Sequence, residues 1–325
     1  MLRSEVHGLV YRHRVGFSER TLSELENIVP GLPLPIAQLA RRALRSQSPI
    51  ELHHNAYYLA EATLKLASAA RIGLWLAGAL DPSSALARRL EALTYPSLGQ
   101  WRDFLRDTDR VLAHREEGEG TQQSRYLGRL SEPRPDWTAV PAFALAAEQS
   151  GAVSEEASKT GRSDGLLGFF DLVVSYRNRV IAHGGQRVES YYETLGNLLL
   201  RALQEVLACE ELFGGQKLVY ARLRLDAGGD SGALFWQDLT GPTSAPLESD
   251  PAEPEARRPP DRSMAGRVCM LGASGVCELH PLVVYRTDEA GRESFGFLNR
   301  TIRRGEGGAQ VRRVDYLDYD TGENV

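Results

Sequence analysis

The sequence predicts an α+β protein, with an N-terminal all-α bundle of five or more helices followed by a small antiparallel β domain. Across residues 35–213, apolar residues recur at intervals of three and four, which places them on one face of successive helices. After Gly214–Gly215 they alternate with polar residues, as in KLVYARLRLDA, a pattern typical of half-buried strands. We therefore expect a leading segment at 1–34, a helical domain at 35–213 and a β domain at 214–325.

Prolines, glycines and capping residues divide the helical region into its elements. We interpret HREEGEGTQQSRYLGRLSEPRP as a long loop and SEEASKTGRSDG as a polar connector. The expected helices are SERTLSELENIV, Ile36 to about Arg45, Pro49 to about Gly78, SSALARRLEAL, the segment after Ser97, VPAFALAAEQSG, the segment from about Asp164, and Val188 to about Phe213.

The longest of these helices, the one that begins at Pro49, has two faces of different character. One face has small residues that permit another helix to pack closely, and it consists of Leu59, Ala62, Leu66, Ala69 and Gly73. The other face is partly polar and consists of Ile50, His54, Tyr57, Glu61 and Leu64. On that face Glu61 either forms an ion pair with Lys65, four residues later, or serves a partner on a facing helix. For His54 the ordinary interpretation is a surface histidine whose hydrogen bonds are satisfied.

Six segments of the β domain have the alternation and the β-branched or aromatic content of strands. Their succession predicts one antiparallel sheet or a small barrel. The Pro-rich stretch at about 241–263 lacks periodicity, so we expect a disordered loop there. The expected strands are KLVYARLRLDA, GALFWQDLTG, AGRVCMLG, CELHPLVVYRT, SFGFLNRTI and QVRRVDYLDYDTG.

Aromatic and arginine side chains of these strands have two possible roles. They bind a ligand or a single strand of nucleic acid, or they form the core and the solvated faces of the sheet. The side chains concerned are Phe235, Trp236, Tyr285, Phe295, Phe297, Arg312 and Arg313.

The most informative residues lie late in the helical region. Leu166, Phe170 and Val173 share one helical stripe, and the next position of that stripe is Arg177, where another apolar residue is expected. A guanidinium keeps its charge and is costly to bury alone, so this position indicates an anion or an assembly surface. His183 follows six positions later, directly before two glycines that favour a helix end. The helix dipole there favours a protonated imidazole.

The run R-N-R-V-I-A-H-G resembles the motif of the HEPN superfamily, whose members are small helical domains with Arg, a polar residue, about four further residues and His. The resemblance covers the helical region from about Pro35 to Phe213, and the motif lies at a helix end with one long helix still to follow. The same residues also have an ordinary interpretation, because basic side chains before a glycine are common at helix ends.

The resemblance implies a metal-independent endoribonuclease, in which the ribose 2′-hydroxyl attacks the adjacent phosphate and leaves a 2′,3′-cyclic phosphate. In this sequence it assigns general acid–base catalysis to His183, the phosphate clamp to Arg177, and an orienting hydrogen bond to Asn178. Arg179 is expected to be solvated or to contact the RNA backbone. The supporting residues are Glu61, which would orient Arg177 from the facing helix, Arg179 and Tyr176.

Domains of this kind usually pair two motif helices across a two-fold axis, so the resemblance implies a homodimer. It also implies an effector of bacterial defence, including antiviral defence, or of a toxin system, with a β domain that senses a trigger or holds a partner. The alternative is a non-catalytic dimerisation or adaptor module within a larger signalling or defence protein. In that case Arg177 forms a structural ion pair with Glu61 or Asp171, His183 caps the helix, and the β domain binds a ligand or peptide.

Composition and the absence of several motifs exclude other classes of protein function. The 43 acidic and 38 basic residues give a formal charge of −5, so any contact with RNA must be local. The 3 cysteines show no zinc-like spacing, and the chain has neither a secretory signal nor a long apolar run. We therefore expect a cytoplasmic protein that binds no membrane. Phosphate-loop, H-E-x-x-H and G-x-S-x-G motifs are absent from the sequence, and we expect no metal and no organic cofactor.

Overall fold

The structure, a computed structural model, describes residues 19–78, 84–91, 95–116, 129–181, 187–213, 216–225, 232–247, 260–272, 275–288, 291–306, 309–319 and 322. The chain divides into two compact units. The first unit consists of the described residues of Met1–Leu32, Ile36–Thr63 and Arg129–Leu212, and the second of those of Pro33–Pro35, Leu64–Gly128 and Phe213–Val325. The domain limits expected from the sequence stay a prediction.

The described residues confirm the α+β class, because they contain nine α-helices and two antiparallel sheets. None of the described helices has a stretch long and apolar enough to cross a bilayer. The helices are α1 (Glu19–Ile28), α2 (Leu34–Leu44), α3 (Pro49–Ala77), α4 (Ala85–Glu91), α5 (Leu98–Glu116), α6 (Ala139–Gln149), α7 (Glu155–Ser163), α8 (Gly165–Tyr176) and α9 (Glu189–Leu207). The strands are β1 (Lys217–Leu225), β2 (Gly232–Asp238), β3 (Ala245–Pro246), β4 (Val268–Gly272), β5 (Gly275–Glu278), β6 (Val283–Thr287), β7 (Glu293–Glu306) and β8 (Ala309–Asp318).

In the first unit, α8 buries nine of its twelve residues. Its side chains are apolar on almost every side, and α7 and α6 pack against it. On α9, Gly196 lies against the backbone of His53 in α3, and a Cβ atom there would be 3.1 Å from the Cα of His53. A larger residue at this position would push α9 away from α3, so the glycine sets how closely the two helices pack.

The segment SEEASKTGRSDG, expected as a connector, is helix α7, so that prediction was wrong. The hydroxyl of Ser154 accepts a hydrogen bond from the N–H of Ala157 at 3.2 Å, which caps the helix in the usual way. The buried positions of α7 are only Ser158 and Gly161. A Cβ atom on Gly161 would lie 3.1 Å from Leu172 of α8, so this face packs closely without any large apolar side chain.

The start of α6 is capped by a residue distant in the sequence. The carboxylate of Glu205, on α9, accepts hydrogen bonds from the N–H groups of Thr138, Ala139 and Val140 at distances between 2.8 and 3.0 Å. The first N–H groups of a helix have no partner within the helix, and the positive end of its dipole favours an anion. One carboxylate therefore satisfies three donors and fixes α6 against α9.

In the second unit, the strands form two sheets rather than the single sheet or barrel expected. The first sheet has the order β3-β2-β1-β4-β5 and the second β6-β7-β8, and every pair is antiparallel. The expected strand CELHPLVVYRT contributes to both sheets. β5 ends at Glu278, a turn closed by the bond from Leu282 N–H to Leu279 O at 2.8 Å follows, and β6 belongs to the second sheet.

One face of the first sheet carries its core. Val219 pairs with Cys269 and Ala221 with Trp236 across the strands, and all four side chains are buried together. The alternation that predicted β1 weakens toward its end, where Leu223 is 50% exposed.

The aromatic side chains considered for ligand binding belong mostly to the core. Trp236, Tyr285, Phe295 and Phe297 are buried. Only Phe235 is partly exposed among the aromatic residues of that set, and the guanidinium of Arg224 lies 4.9 Å from its ring centroid. The side chains of Arg312 and Arg313 lie outside the described part of the structure.

Two pieces of the Pro-rich stretch are ordered, against the expectation for 241–263. Ala245–Pro246 forms β3 at the edge of the first sheet, and Arg262–Met264 forms a 3₁₀ turn. Proline is tolerated in β3 because an edge strand needs no donor on its outer side. Residues 248–259 lie outside the described residues.

Replacing Glu205 with alanine is expected to lower the free energy of unfolding by about 2 kcal/mol, because three N–H groups of α6 lose their acceptor and the helix loses its complementary charge. Urea unfolding at neutral pH, followed by circular dichroism, measures this difference. Glu156→Ala, which removes an exposed carboxylate on α7, should change the same free energy by about 0.5 kcal/mol or less. Equal losses in the two variants would contradict a capping role for Glu205.

Candidate functional site

The motif begins at a change in the helix itself. α8 ends at Tyr176, and the next five residues, Arg177–Ile181, form a single π-helical turn. The N–H of Arg177 points at the carbonyl oxygens of both Val173 and Val174. Single π turns are rare within helices and occur frequently at functional sites. His183 and the two glycines after it lie outside the described residues.

The residues at the π turn differ in how far they are buried. Tyr176 and Val180 are buried, Arg177 is half-buried, and Asn178 and Arg179 are exposed. A terminal nitrogen of the Arg177 guanidinium lies 3.3 Å from the side-chain oxygen of Asn178. The guanidinium is therefore partly held and still reachable from solvent, whereas the stripe of Leu166, Phe170 and Val173 before it is fully covered.

The facing surface belongs to α3. His53, Tyr57 and Glu61 are spaced four residues apart, so their side chains lie one above another on a single face. His53 contacts Tyr176, and the next turn brings Tyr57 beside Arg177. The two consecutive residues at the junction of α8 and the π turn are thus held by two successive turns of one helix.

His53 and Tyr176 form a hydrogen bond in the interior of the first unit. Nε2 of His53 is 2.5 Å from the hydroxyl oxygen of Tyr176, and His53 has no exposed surface. Burial, together with the neighbouring His54, lowers the pKa of His53 to about 4, so the ring is neutral at neutral pH. Nδ1 of His53 is buried without a partner among the described atoms. Because an unpaired acceptor costs less than an unpaired N–H, the favoured tautomer has its proton on Nε2 and donates to Tyr176.

Tyr57 connects Glu61 with Arg177. The hydroxyl of Tyr57 donates a hydrogen bond to the carboxylate of Glu61. Burial and that carboxylate raise the pKa of Tyr57, while the nearby Arg177 guanidinium opposes the shift. Tyr57 thus contacts both Glu61 and Arg177, and the role expected for Glu61, orienting Arg177 from the facing helix, stays a prediction.

After residues 182–186, which lie outside the described part of the chain, the next residues again contact side chains near His53. The N–H of Arg187 donates to the hydroxyl of Tyr192 at 3.1 Å. The ring of Tyr192 lies edge-on to His53, with 5.1 Å between the ring centroids. The described residues on both sides of the segment that contains His183 are thus anchored, through Tyr176 and Tyr192, to His53.

Sequence reasoning missed His53 and placed Tyr57 on the partly polar face of α3 without giving it a role. His53 and Tyr57 share the four-residue spacing with Glu61, and that spacing was visible in the sequence. His54 was instead grouped with Tyr57, and in the structure His54 is exposed. A histidine inside an apolar helix face gives no signal of its own, so its role emerges only from the contact with Tyr176.

Other chemistries have little support among the described side chains. Burial raises the pKa of Cys209 and Cys277 to about 11 and that of Cys269 to about 12, so all three are thiols rather than nucleophilic thiolates at neutral pH. Within the described residues, no three or more His, Cys, Asp and Glu side chains are grouped so as to hold a metal ion.

The buried neutral His53 should make the protein less stable in mild acid. As pH falls below the ordinary value of 6.5, the unfolded chain takes up a proton at this position and the folded chain does so only near pH 4. The contribution of neutral His53 to the free energy of unfolding is fully present above pH 6.5 and is lost as the pH falls toward 4. The lowered pKa of His53 contributes roughly 3 kcal/mol at most to the free energy of unfolding.

Urea unfolding of wild type and His53→Gln across this pH range measures the contribution. The variant should be less stable at neutral pH, because Tyr176 loses its partner, and it should lose much less stability on acidification. His54→Gln is the matched control and should retain most of the wild-type dependence of the free energy of unfolding on pH. The same dependence in His53→Gln as in wild type would contradict the assignment of the acid-sensitive group to His53.

No match was found when the chain was compared with protein-family models, with curated proteins and with solved structures.

Proposed function

We propose that the protein is a HEPN-type, metal-independent endoribonuclease that acts as an effector in a bacterial defence or toxin system. The observation that best supports this is the placement of Arg177. It is the first residue of a π turn, half-buried, beside the Tyr57 hydroxyl and the Asn178 side chain. An arginine held in this way is suited to bind a phosphate, because its remaining donors are fixed in direction before the anion arrives.

The chemistry assigns a separate role to each residue of the motif. The ribose 2′-oxygen forms a bond to the adjacent phosphorus, the bond from phosphorus to the 5′-oxygen breaks, and a 2′,3′-cyclic phosphate remains. Arg177 stabilises the negative charge on the phosphate oxygens, and Asn178 orients the phosphate or the guanidinium. The resemblance of the motif gives His183 the proton transfer to or from these oxygens. Arg179, which is exposed, is suited to contact the RNA backbone.

The charges near the motif are consistent with a local RNA contact. Arg177 and Arg179 carry positive charge at a surface of a chain whose formal charge is −5. Attraction to RNA at this region would therefore be local, and binding should weaken as salt rises. A homodimer through the motif helices would place a second pair of arginines beside the first, which would strengthen the contact.

Purified protein is expected to cleave labelled total RNA in the presence of EDTA and to leave cyclic phosphate ends. Arg177→Ala and His183→Ala should each lower the rate by about a hundredfold or more. The measurement combines gel analysis of the fragments with phosphatase resistance of their ends. Arg201→Ala, which removes an exposed arginine from α9, is the control for the loss of one positive charge and should remain active.

Cleavage that survives in both motif variants, or that needs a divalent metal, would overturn the proposal. Lack of cleavage by a folded wild-type dimer would favour the second candidate, a non-catalytic dimerisation or adaptor module. Val188 supports that candidate, because this large apolar side chain beside the start of α9 is 72% exposed and is suited to contact another protein.

The connection from Glu61 through Tyr57 predicts a second, distinct effect. Tyr57→Phe and Glu61→Gln should each lower kcat about five- to tenfold, because Arg177 is less firmly oriented, while KM changes little. Single-turnover cleavage assays separate the two parameters. Tyr58→Phe removes the neighbouring hydroxyl from a half-exposed ring and should leave the rate unchanged. Equal rates for Tyr57→Phe and Tyr58→Phe would exclude the role of Tyr57.

A further inference from the structure

The second unit contains a cavity of about 330 Å³ that takes no part in the proposed cleavage site. Its walls are mostly apolar. Leu76 closes the end of α3, Leu90 belongs to α4, and Leu282, Leu298 and Val314 come from the three-stranded sheet and its approach. A volume of a few hundred Å³ with apolar walls and a few polar groups is typical of sites for small molecules.

The walls are set by close packing. A Cβ atom on Gly73 would lie 3.0 Å from the carbonyl oxygen of Glu278, so α3 approaches the end of β5 closely just before Leu76. On the sheet side, Thr301 and Val314 are register partners in β7 and β8, and paired residues share a face. Close packing of backbone elements therefore sets the positions from which these side chains line the cavity.

The polar groups of the cavity include two carboxylates. Glu278 is half-buried and Glu91 is exposed, and no lysine or arginine is among the described lining residues. Glu278 accepts a hydrogen bond from Arg267, which offsets part of its charge. Partial burial and the nearby Arg267 lower the pKa of His280, so this ring is neutral at neutral pH and does not oppose a cation.

We propose that this cavity binds a small organic cation, a primary amine attached to an aromatic or branched alkyl group. The apolar body would occupy the space between Leu76, Leu282 and Leu298. The ammonium group would lie toward Glu91 and Glu278, and the hydroxyl of Thr301 and the ring of His280 offer neutral hydrogen-bonding partners. This assignment does not depend on RNA cleavage, because it rests on residues of the second unit alone.

Three probes of nearly the same shape separate charge from apolar contact. They are 4-phenylbutylamine, 4-phenylbutanol and 4-phenylbutyrate, titrated into the full chain by isothermal calorimetry at neutral pH. The amine is expected to bind about fivefold or more tightly than the alcohol, since it adds a charge-assisted hydrogen bond to a carboxylate. The carboxylic acid is expected to bind more weakly than both.

Variants locate the site. Leu90→Trp, which fills part of the cavity, should abolish amine binding, and Glu91→Gln should weaken it toward the affinity of the alcohol. Glu156→Gln, an exposed position of the first unit, is the control and should bind the amine as wild type does. Circular dichroism of each variant shows that a loss of binding is not a loss of folding.

Two results would overturn the proposal. Equal affinity for the three probes would reveal an apolar crevice without selectivity for charge. No binding of the amine at millimolar concentration, in a folded protein, would show that the cavity is closed in solution, whether by another segment of the chain or by repacking. RNA cleavage measured on the same preparations reports on the motif independently.

Discussion

The hydrogen bond between His53 and Tyr176 is the contact on which the geometry of the motif depends. Both groups are buried, so removing Tyr176 would leave Nε2 of His53 without a partner, at a cost of about 1–3 kcal/mol. Tyr176 is the last residue of α8 and Arg177 the first of the π turn. Fixing Tyr176 against α3 therefore fixes the point at which the helix changes its pitch, and with it the direction in which Arg177 leaves the core.

Half-burial suits the chemistry proposed for Arg177. A guanidinium deep in the core would need a carboxylate partner and would be unable to receive a phosphate. A fully exposed one would be mobile, and the entropy of ordering it would be lost at each binding event. The arrangement with Tyr57, Glu61 and Asn178 lies between these limits, since the contacts restrict the side chain while solvent still reaches it.

The periodicity of apolar residues predicted the helices best where a helix has a large buried face, as in α3, α8 and α9. It failed for α7, because Ser158 and Gly161 form the buried face there and neither residue adds to an apolar pattern. It gave no sign of the π turn that begins at Arg177, since one extra residue in a turn leaves the composition of the helix unchanged. The division of CELHPLVVYRT between two sheets was hidden for a related reason. Leu279 and Leu282 in the turn are as apolar as the strand residues around them, and both are buried.

The two proposed sites would select ligands of opposite charge. The motif contains arginines and the lining of the cavity contains carboxylates, so neither proposed ligand should be attracted to the other site. At physiological salt a charge acts over about 8 Å in solvent, so selectivity at each site depends on the groups in direct contact with the ligand. α3 contributes His53, Tyr57 and Glu61 to one site and Leu76 to the other. Substitutions at Arg177 and at Leu90 should nevertheless each disturb one site and leave the other unchanged, as expected of two independent sites.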